Sequence, residues 1–177
     1  MERQQEILQS SKEEVIHTII DQYGEDIKRL IYTYVKSYSQ TDDLFQEFLI
    51  SVYKNLDTFK EESLLKTWLY RIAINKCKDY LKSPIHRLFS IPFVEYLSKN
   101  EKSAEQAAID KEKKDQFIEA ILSLPIKYRE VVILRYYKGL SIHEISVMLN
   151  CNESTIKSRI LRGKEKLVKM TGEDIVE

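Results

Sequence analysis

Glycine and proline are scarce in this sequence, four and three among 177 residues. A fold of many short strands needs such residues at frequent turns, so a turn-rich all-β architecture is excluded. Cysteine is scarcer still. Cys77 and Cys151 lie far apart, form no CxxC pair and have no His at ligand spacing; His17, His86 and His143 are scattered. No metal site and no cofactor is expected from that pattern. Glycine-rich phosphate loops, a nucleophile elbow and paired carboxylates are also missing, so no catalytic residue is assigned and the chain is not read as an enzyme. No run approaches the roughly eighteen apolar residues of a membrane span. The stretch MERQQEILQSSKEE carries no apolar signal core. These absences lead to the expectation of a cytoplasmic protein without membrane insertion.

What the sequence does have is hydrophobic residues at 43% and charged residues at 32%, with 28 basic and 28 acidic side chains. The balance conceals a segregation. Residues 1–62 hold 7 basic and 13 acidic residues, residues 63–88 hold 6 and 1, and residues 151–170 hold 6 and 2. An acidic region followed by two basic ones fits one positive and one negative partner, and nucleic acid is the obvious polyanion. Solvated helix faces would give the same count.

Apolar residues recur at helical spacing almost throughout, which predicts an all-α chain of two small helical domains. The first domain is placed at 10–83, a connector at 84–102 and the second domain at 103–170. Ser11-Lys12-Glu13-Glu14 reads as a capping box, Gly24 as a helix stop and Thr41 as the cap of a third helix, with Asp42 and Asp43 in its first turn. Ser63 caps a fourth, which Ser83-Pro84 ends. Trp68, Leu69 and Ile72 on that helix read as core. The connector includes IHRLFSIPFVEYL, too apolar to float freely. Ser103-Ala104-Glu105-Gln106 is a further capping box, and helices follow at 104–122, 126–138, 142–149 and 153–169.

The segment LSIHEISVMLNCNESTIKSRILRGKEKL is the most informative. Ser141 and Glu144 form a capping box, Asn150 suits a left-handed turn, and Asn152 can cap the next helix. A short helix, a tight turn and a longer basic helix make a helix-turn-helix. At about 100° per residue, Ile156, Ile160, Gly163 and Leu167 share the inward side of the second helix. Ser154, Ser158, Leu161, Arg162 and Glu165 share the outward side, edged by Lys157 and Lys164 and by Thr155, Arg159 and Lys166. In a major groove Arg162 can pair with a guanine edge and Leu161 can touch a thymine methyl. Leu161 equally fits packing against a neighbouring loop. Ser154 and Thr155 fit either a phosphate contact or the cap alone. Taken alone, the motif covers repressors, activators and response-regulator outputs, among them a stand-alone repressor that binds operator DNA.

Four stretches occur in an order that narrows the choice: DDLFQEFLISVYKNLDTF, TWLYRIAINKCKDYL, LPIKYREVVILRYYKGLS and the helix-turn-helix. Together they resemble bacterial RNA polymerase sigma factors, most closely the small extracytoplasmic-function (ECF) group. The resemblance covers about 20–82 and 104–168. It implies a protein that binds core polymerase, recognises a two-part promoter, assists melting and performs no chemistry itself. It implies docking on the clamp of the polymerase largest subunit through Asp43, Gln46 and Glu47. It implies −10 element contacts around Asn75, Lys76, Lys78 and Tyr80, with Lys60 to Ser63 in the loop that holds a flipped base. It implies −35 element contacts at Lys157, Ser158, Leu161 and Arg162, with Thr155 at the edge. An anti-sigma factor as partner also follows from the resemblance. Asn150 stands where the family often has Gly, and Gly163 where it often has Ala. The apolar connector matches no motif, so the resemblance gives it a route toward the polymerase active centre but no residue roles.

Overall fold

The computed structural model describes residues 11–59, 64–83 and 115–172. Among these residues every regular element is helical, as the periodicity predicts. The chain divides into two compact units, Met1–Ile91 and Pro92–Glu177. Lys60, Ser63, the connector 84–102 and the Ser103 capping box lie outside the described residues.

The first unit is a three-helix packing of α1 (Lys12–Val35), α2 (Tyr38–Asn55) and α3 (Leu65–Lys82), each helix in contact with the other two. The capping box at Ser11 and Glu14 opens α1 as expected. The expected stop at Gly24 does not occur, and α1 runs straight through it. A glycine in a helix costs about 1 kcal/mol relative to Ala. Val15, Ile19, Ile27, Leu30, Ile31 and Tyr34, all buried on either side of it, outweigh that cost.

The expected cap at Thr41 is also displaced. The N-cap of α2 is Ser37, whose hydroxyl accepts from the Gln40 amide at 3.5 Å. Lys36 takes a left-handed conformation (φ 57°) and turns the chain, so α2 begins one turn earlier than its apolar pattern indicates. Thr41 is buried within α2 and donates to the Ser37 carbonyl at 2.7 Å. Asp42 and Asp43 therefore sit beyond the first turn, where the helix dipole has little hold on them. A 3₁₀ turn at Leu56–Thr58 follows α2. On α3, Leu64 occupies the N-cap without a side-chain bond, and Ser83 ends the helix with the extended backbone that a following proline favours. Leu69 is fully buried; Trp68 and Ile72 are half-buried, and the indole packs on Phe59 at 5.1 Å. The Cys77 thiol is buried, which pushes its pKa up to about 12 and leaves it protonated and inert.

The second unit begins with α4, helical over residues 115–123. Next comes α5 (Ile126–Val132), which widens into a π-helical turn at Ile133–Tyr137 before Gly139 (φ 69°) reverses the chain. The helix expected over 126–138 is thus present, with its last turn unwound by one residue. α6 (Ile142–Leu149) and α7 (Glu153–Thr171) complete the helix-turn-helix. Ala120, Leu124, Tyr128, Val132 and Leu167 form a core cluster drawn from three helices and the α4–α5 junction.

Gly163 sets the spacing between α5 and α7. A Cβ there would stand 2.8 Å from Val132 Cγ2 and 3.6 Å from the Tyr128 carbonyl oxygen. Val132 is β-branched and 1% exposed, so it has little room to yield. The glycine that departs from the usual Ala therefore lets the two helices come closer.

Candidate functional site

The helix-turn-helix forms with the local chemistry its sequence announces. The Ser141 hydroxyl accepts from the Glu144 amide at 3.2 Å, and the Ser141 amide donates to Glu144 Oε2 at 2.8 Å. Hydrogen bonds from the Ser141 side chain and backbone hold the Glu144 carboxyl below its usual pKa. Asn150 adopts the left-handed conformation (φ 52°). Asn152 caps α7, its Oδ1 accepting from the Thr155 amide at 2.9 Å. His143 Nδ1 and Glu153 Oε1, 3.1 Å apart, add a bridge between α6 and α7.

Ile156, Ile160, Gly163 and Leu167 of α7 are buried; Ser154, Lys157, Ser158, Leu161, Arg162 and Glu165 are exposed. The expected division of faces holds at every one of these positions. Leu161 is 59% exposed, so among the described residues it is not packed against a loop. An apolar side chain left open on a basic face is suited to contact with another molecule. Thr155 is half-buried with its amide committed to the cap.

Two residues outside the motif join this face. Lys127 and Tyr128 of α5 line a pocket of about 390 Å³ together with Ser154, Thr155, Ser158 and Arg162 of α7. Sequence inspection did not single them out. Nothing local marks a residue some thirty positions upstream as a neighbour of the recognition helix, and only the α5–α7 packing brings them together.

In the first unit, Asp43, Gln46 and Glu47 are exposed along one side of α2, with Ile50, 55% exposed, among them. The basic and polar residues of α3 divide into two groups. Lys76 and Tyr80 turn toward α2: Lys76 Nζ lies 3.8 Å from Glu47 Oε2. Burial and the negative charge of Asp43 raise the Tyr80 pKa. Asn75 is exposed and Lys78 is half-buried. They fall in a stripe with Arg71 and Lys82 at steps of three and four residues, and Arg71, Asn75 and Lys82 are exposed. The spacing of Arg71 and Lys82 could have identified them from sequence; the six residues expected at the −10 element did not include them.

Comparison with known proteins identifies the family. The family model described as Sigma-70 region 2 matches residues 19–84, and that described as Sigma-70, region 4 matches residues 114–167. The ECF RNA polymerase sigma factor SigW of Bacillus subtilis (strain 168) is 33% identical over 160 residues, covering 85% of this chain and 86% of that protein. The chain belongs to the ECF RNA polymerase sigma factors. The ECF RNA polymerase sigma-E factor of Escherichia coli (strain K12) is 30% identical over 171 residues, covering 92% of this chain and 89% of the relative. A solved structure of the sigma factor RpoE from Bartonella quintana, in complex with the anti-sigma factor NepR, shares the fold. Its TM-score is 0.70 at 22% identity, over 90% of this chain and 98% of that one. As a sigma factor the protein binds RNA polymerase and directs promoter recognition and transcription initiation; a stand-alone repressor is not favoured. Among the described residues no helix is long and apolar enough to cross a membrane.

Proposed function

We propose that this sigma factor divides promoter recognition between its two units. The unit within 10–83 docks on the clamp of the polymerase largest subunit through Asp43, Gln46 and Glu47. It also meets the −10 element through α3. Asn75 and Lys78, with Arg71 and Lys82 beside them, make the outward contact there, while Lys76 and Tyr80 support it from the α2 side. Lys60 and Ser63, just before α3 in the sequence, are assigned to the flipped base of the −10 element. The unit within 103–170 lays α7 in the major groove of the −35 element, with Lys157, Ser158, Leu161 and Arg162 on the DNA and Thr155 at the edge. The connector 84–102 joins the two.

The observation that carries this reading is the outward face of α7. A cationic stripe with an open Leu161 at its centre fits a groove bounded by phosphates and carrying thymine methyls. The acidic side of α2 supplies the complementary requirement, a surface for a basic protein partner. The protein works in the cytoplasm, carries out no chemistry of its own and takes no cofactor, since nucleotide addition belongs to the polymerase. An anti-sigma factor is the expected regulator, because it can cover the same two surfaces; that proposal draws on the relative crystallised with NepR.

Run-off transcription with core polymerase on a promoter library is the direct test. Transcripts should appear only when the protein is added, and from templates sharing two separated elements. Absence of new transcripts on every template would overturn the reading.

A further inference from the structure

The pocket between α5 and α7 holds more positive charge than the fold requires. Lys127 and Arg162 both line it, and no carboxylate is among its lining side chains. Arg159 lines it too, but is engaged by Glu130 at 3.4 Å, on a side chain only 5% exposed. Two cations thus face one small volume with Tyr128 between them.

The Tyr128 ring is 8% exposed and anchored in the core cluster with Leu124, Val132 and Leu167. Lys127 Nζ lies 5.0 Å from its centroid, and Lys166 Nζ from α7 lies 5.9 Å from it. Partial desolvation raises the pKa of the Tyr128 hydroxyl. The nearby positive groups of Arg162 and Lys127 outweigh that effect and bring it below the usual tyrosine value. The core-anchored ring carries Lys127 at its face and stands beside Arg162 in the pocket lining, so Lys127 loses less entropy when it grips a ligand. The two serines are already committed: Ser154 donates to Asn152 Oδ1 at 3.1 Å, and Ser158 donates to the Ser154 carbonyl at 2.9 Å. Recognition falls to the cations.

Two cations held together in the absence of a carboxylate match a tetrahedral monoanion with several acceptor oxygens. We propose that this pocket grips one phosphodiester of the duplex lying along α7, with Lys127 and Arg162 as the two charged contacts and Tyr128 as their support. The proposal rests on the reading that α7 lies on duplex DNA. It changes the part given to Arg162. Lining the pocket beside Tyr128, that guanidinium fixes the register of α7 on the backbone and does not pair with a guanine edge. Base reading is left to Lys157, Ser158 and Leu161.

The test uses holoenzyme assembled from core polymerase and the full chain, with duplex promoter probes. Lys127→Ala should weaken binding by the same factor on every −35 variant and reduce the slope of log affinity against log salt by about 0.9, the value for one lost phosphate contact. Arg162→Ala should do the same. Tyr128→Phe keeps the buried ring and should give a smaller loss in the same direction. Probes with a neutral methylphosphonate at successive linkages should show one linkage that weakens the native protein but costs Lys127→Ala nothing further.

An unchanged salt slope in Lys127→Ala would overturn the proposal, as would an Arg162→Ala variant that alters the ranking of −35 bases. Competition by inorganic phosphate with no linkage sensitive to methylphosphonate would make the pocket a free-anion site and remove the DNA assignment. A native holoenzyme indifferent to the −35 duplex would instead sink the parent reading, which keeps the two failures distinct.

Discussion

The two units distribute their charges differently. In the first, cations are matched with acids across the helices: Lys12 with Asp57, Lys28 with Asp42 at 2.8 Å, Lys66 with Asp26 at 3.9 Å and Lys76 with Glu47 at 3.8 Å. The acids of α2 outnumber its bases, Asp42, Asp43 and Glu47 against Lys54. In the second, Arg159 pairs with Glu130 and His143 stands beside Glu153, and the exposed side of α7 keeps Lys157, Arg162, Lys166 and Lys169. Exposed pairs contribute little to stability, a median of about 0–1 kcal/mol. In the first unit they cancel part of the positive field, while Arg71 and Lys82 on α3 stay exposed. The open side of α7 is mainly cationic, and a polyanion responds to that with strong salt dependence. A net charge of zero is thus the sum of an acidic region and two basic ones.

The contrast can be broken most severely in the core. Leu167→Ala empties a fully buried position of α7 and should cost roughly 2–5 kcal/mol. Amide hydrogen exchange should show lost protection in the second unit and unchanged protection in α1, α2 and α3. Loss in both would mean that the units do not fold separately.

A smaller effect is expected from surface acids. Changing Asp43, Gln46 and Glu47 together to Ala should weaken core polymerase binding at least tenfold, about 1.4 kcal/mol. The thermal midpoint should stay close to that of the native protein, since all three are exposed. Anisotropy titration with labelled protein measures the affinity, and an unchanged value removes the clamp assignment.

Ser141→Ala should cost about 1 kcal/mol by uncapping α6. Its partner adds a pH dependence with a definite sign. The Glu144 carboxyl is held below the usual 4.5, so its stabilisation is complete above that value and lost as pH falls through the lower, folded-state pKa. The stability gap between the native protein and Glu144→Gln, followed by denaturant titration, should therefore narrow on acidification below 4.5. A gap that stays constant would show that the carboxylate charge contributes nothing to the cap.

The smallest change sharpens the comparison. Lys76→Gln removes an exposed pair at 3.8 Å and should lower stability by less than about 1 kcal/mol. A larger loss would make the pair a structural tie between α2 and α3 and not a balance of charge.

Local chemistry was readable wherever one residue type settles one conformation. The capping boxes at Ser11 and Ser141, the left-handed Asn150 and the Asn152 cap all formed as the sequence indicates, because each depends on atoms within about one helical turn. The buried and open sides of α7 followed from spacing alone, for the same reason. Gly24 and Thr41 misled because their local signals are weak. A glycine penalty near 1 kcal/mol and a second possible cap one turn upstream are both decided by packing.

Tertiary structure alone decided which distant side chains share a surface. It set Lys127 and Tyr128 beside Arg162, turned Lys76 and Tyr80 toward the acids of α2, and brought α5 and α7 close over Gly163. Sequence determines helix, cap and face because those are short-range questions of dihedral angle and periodicity. Which faces meet depends on how whole helices pack, and that choice is made by the summed burial of many residues that no short stretch contains.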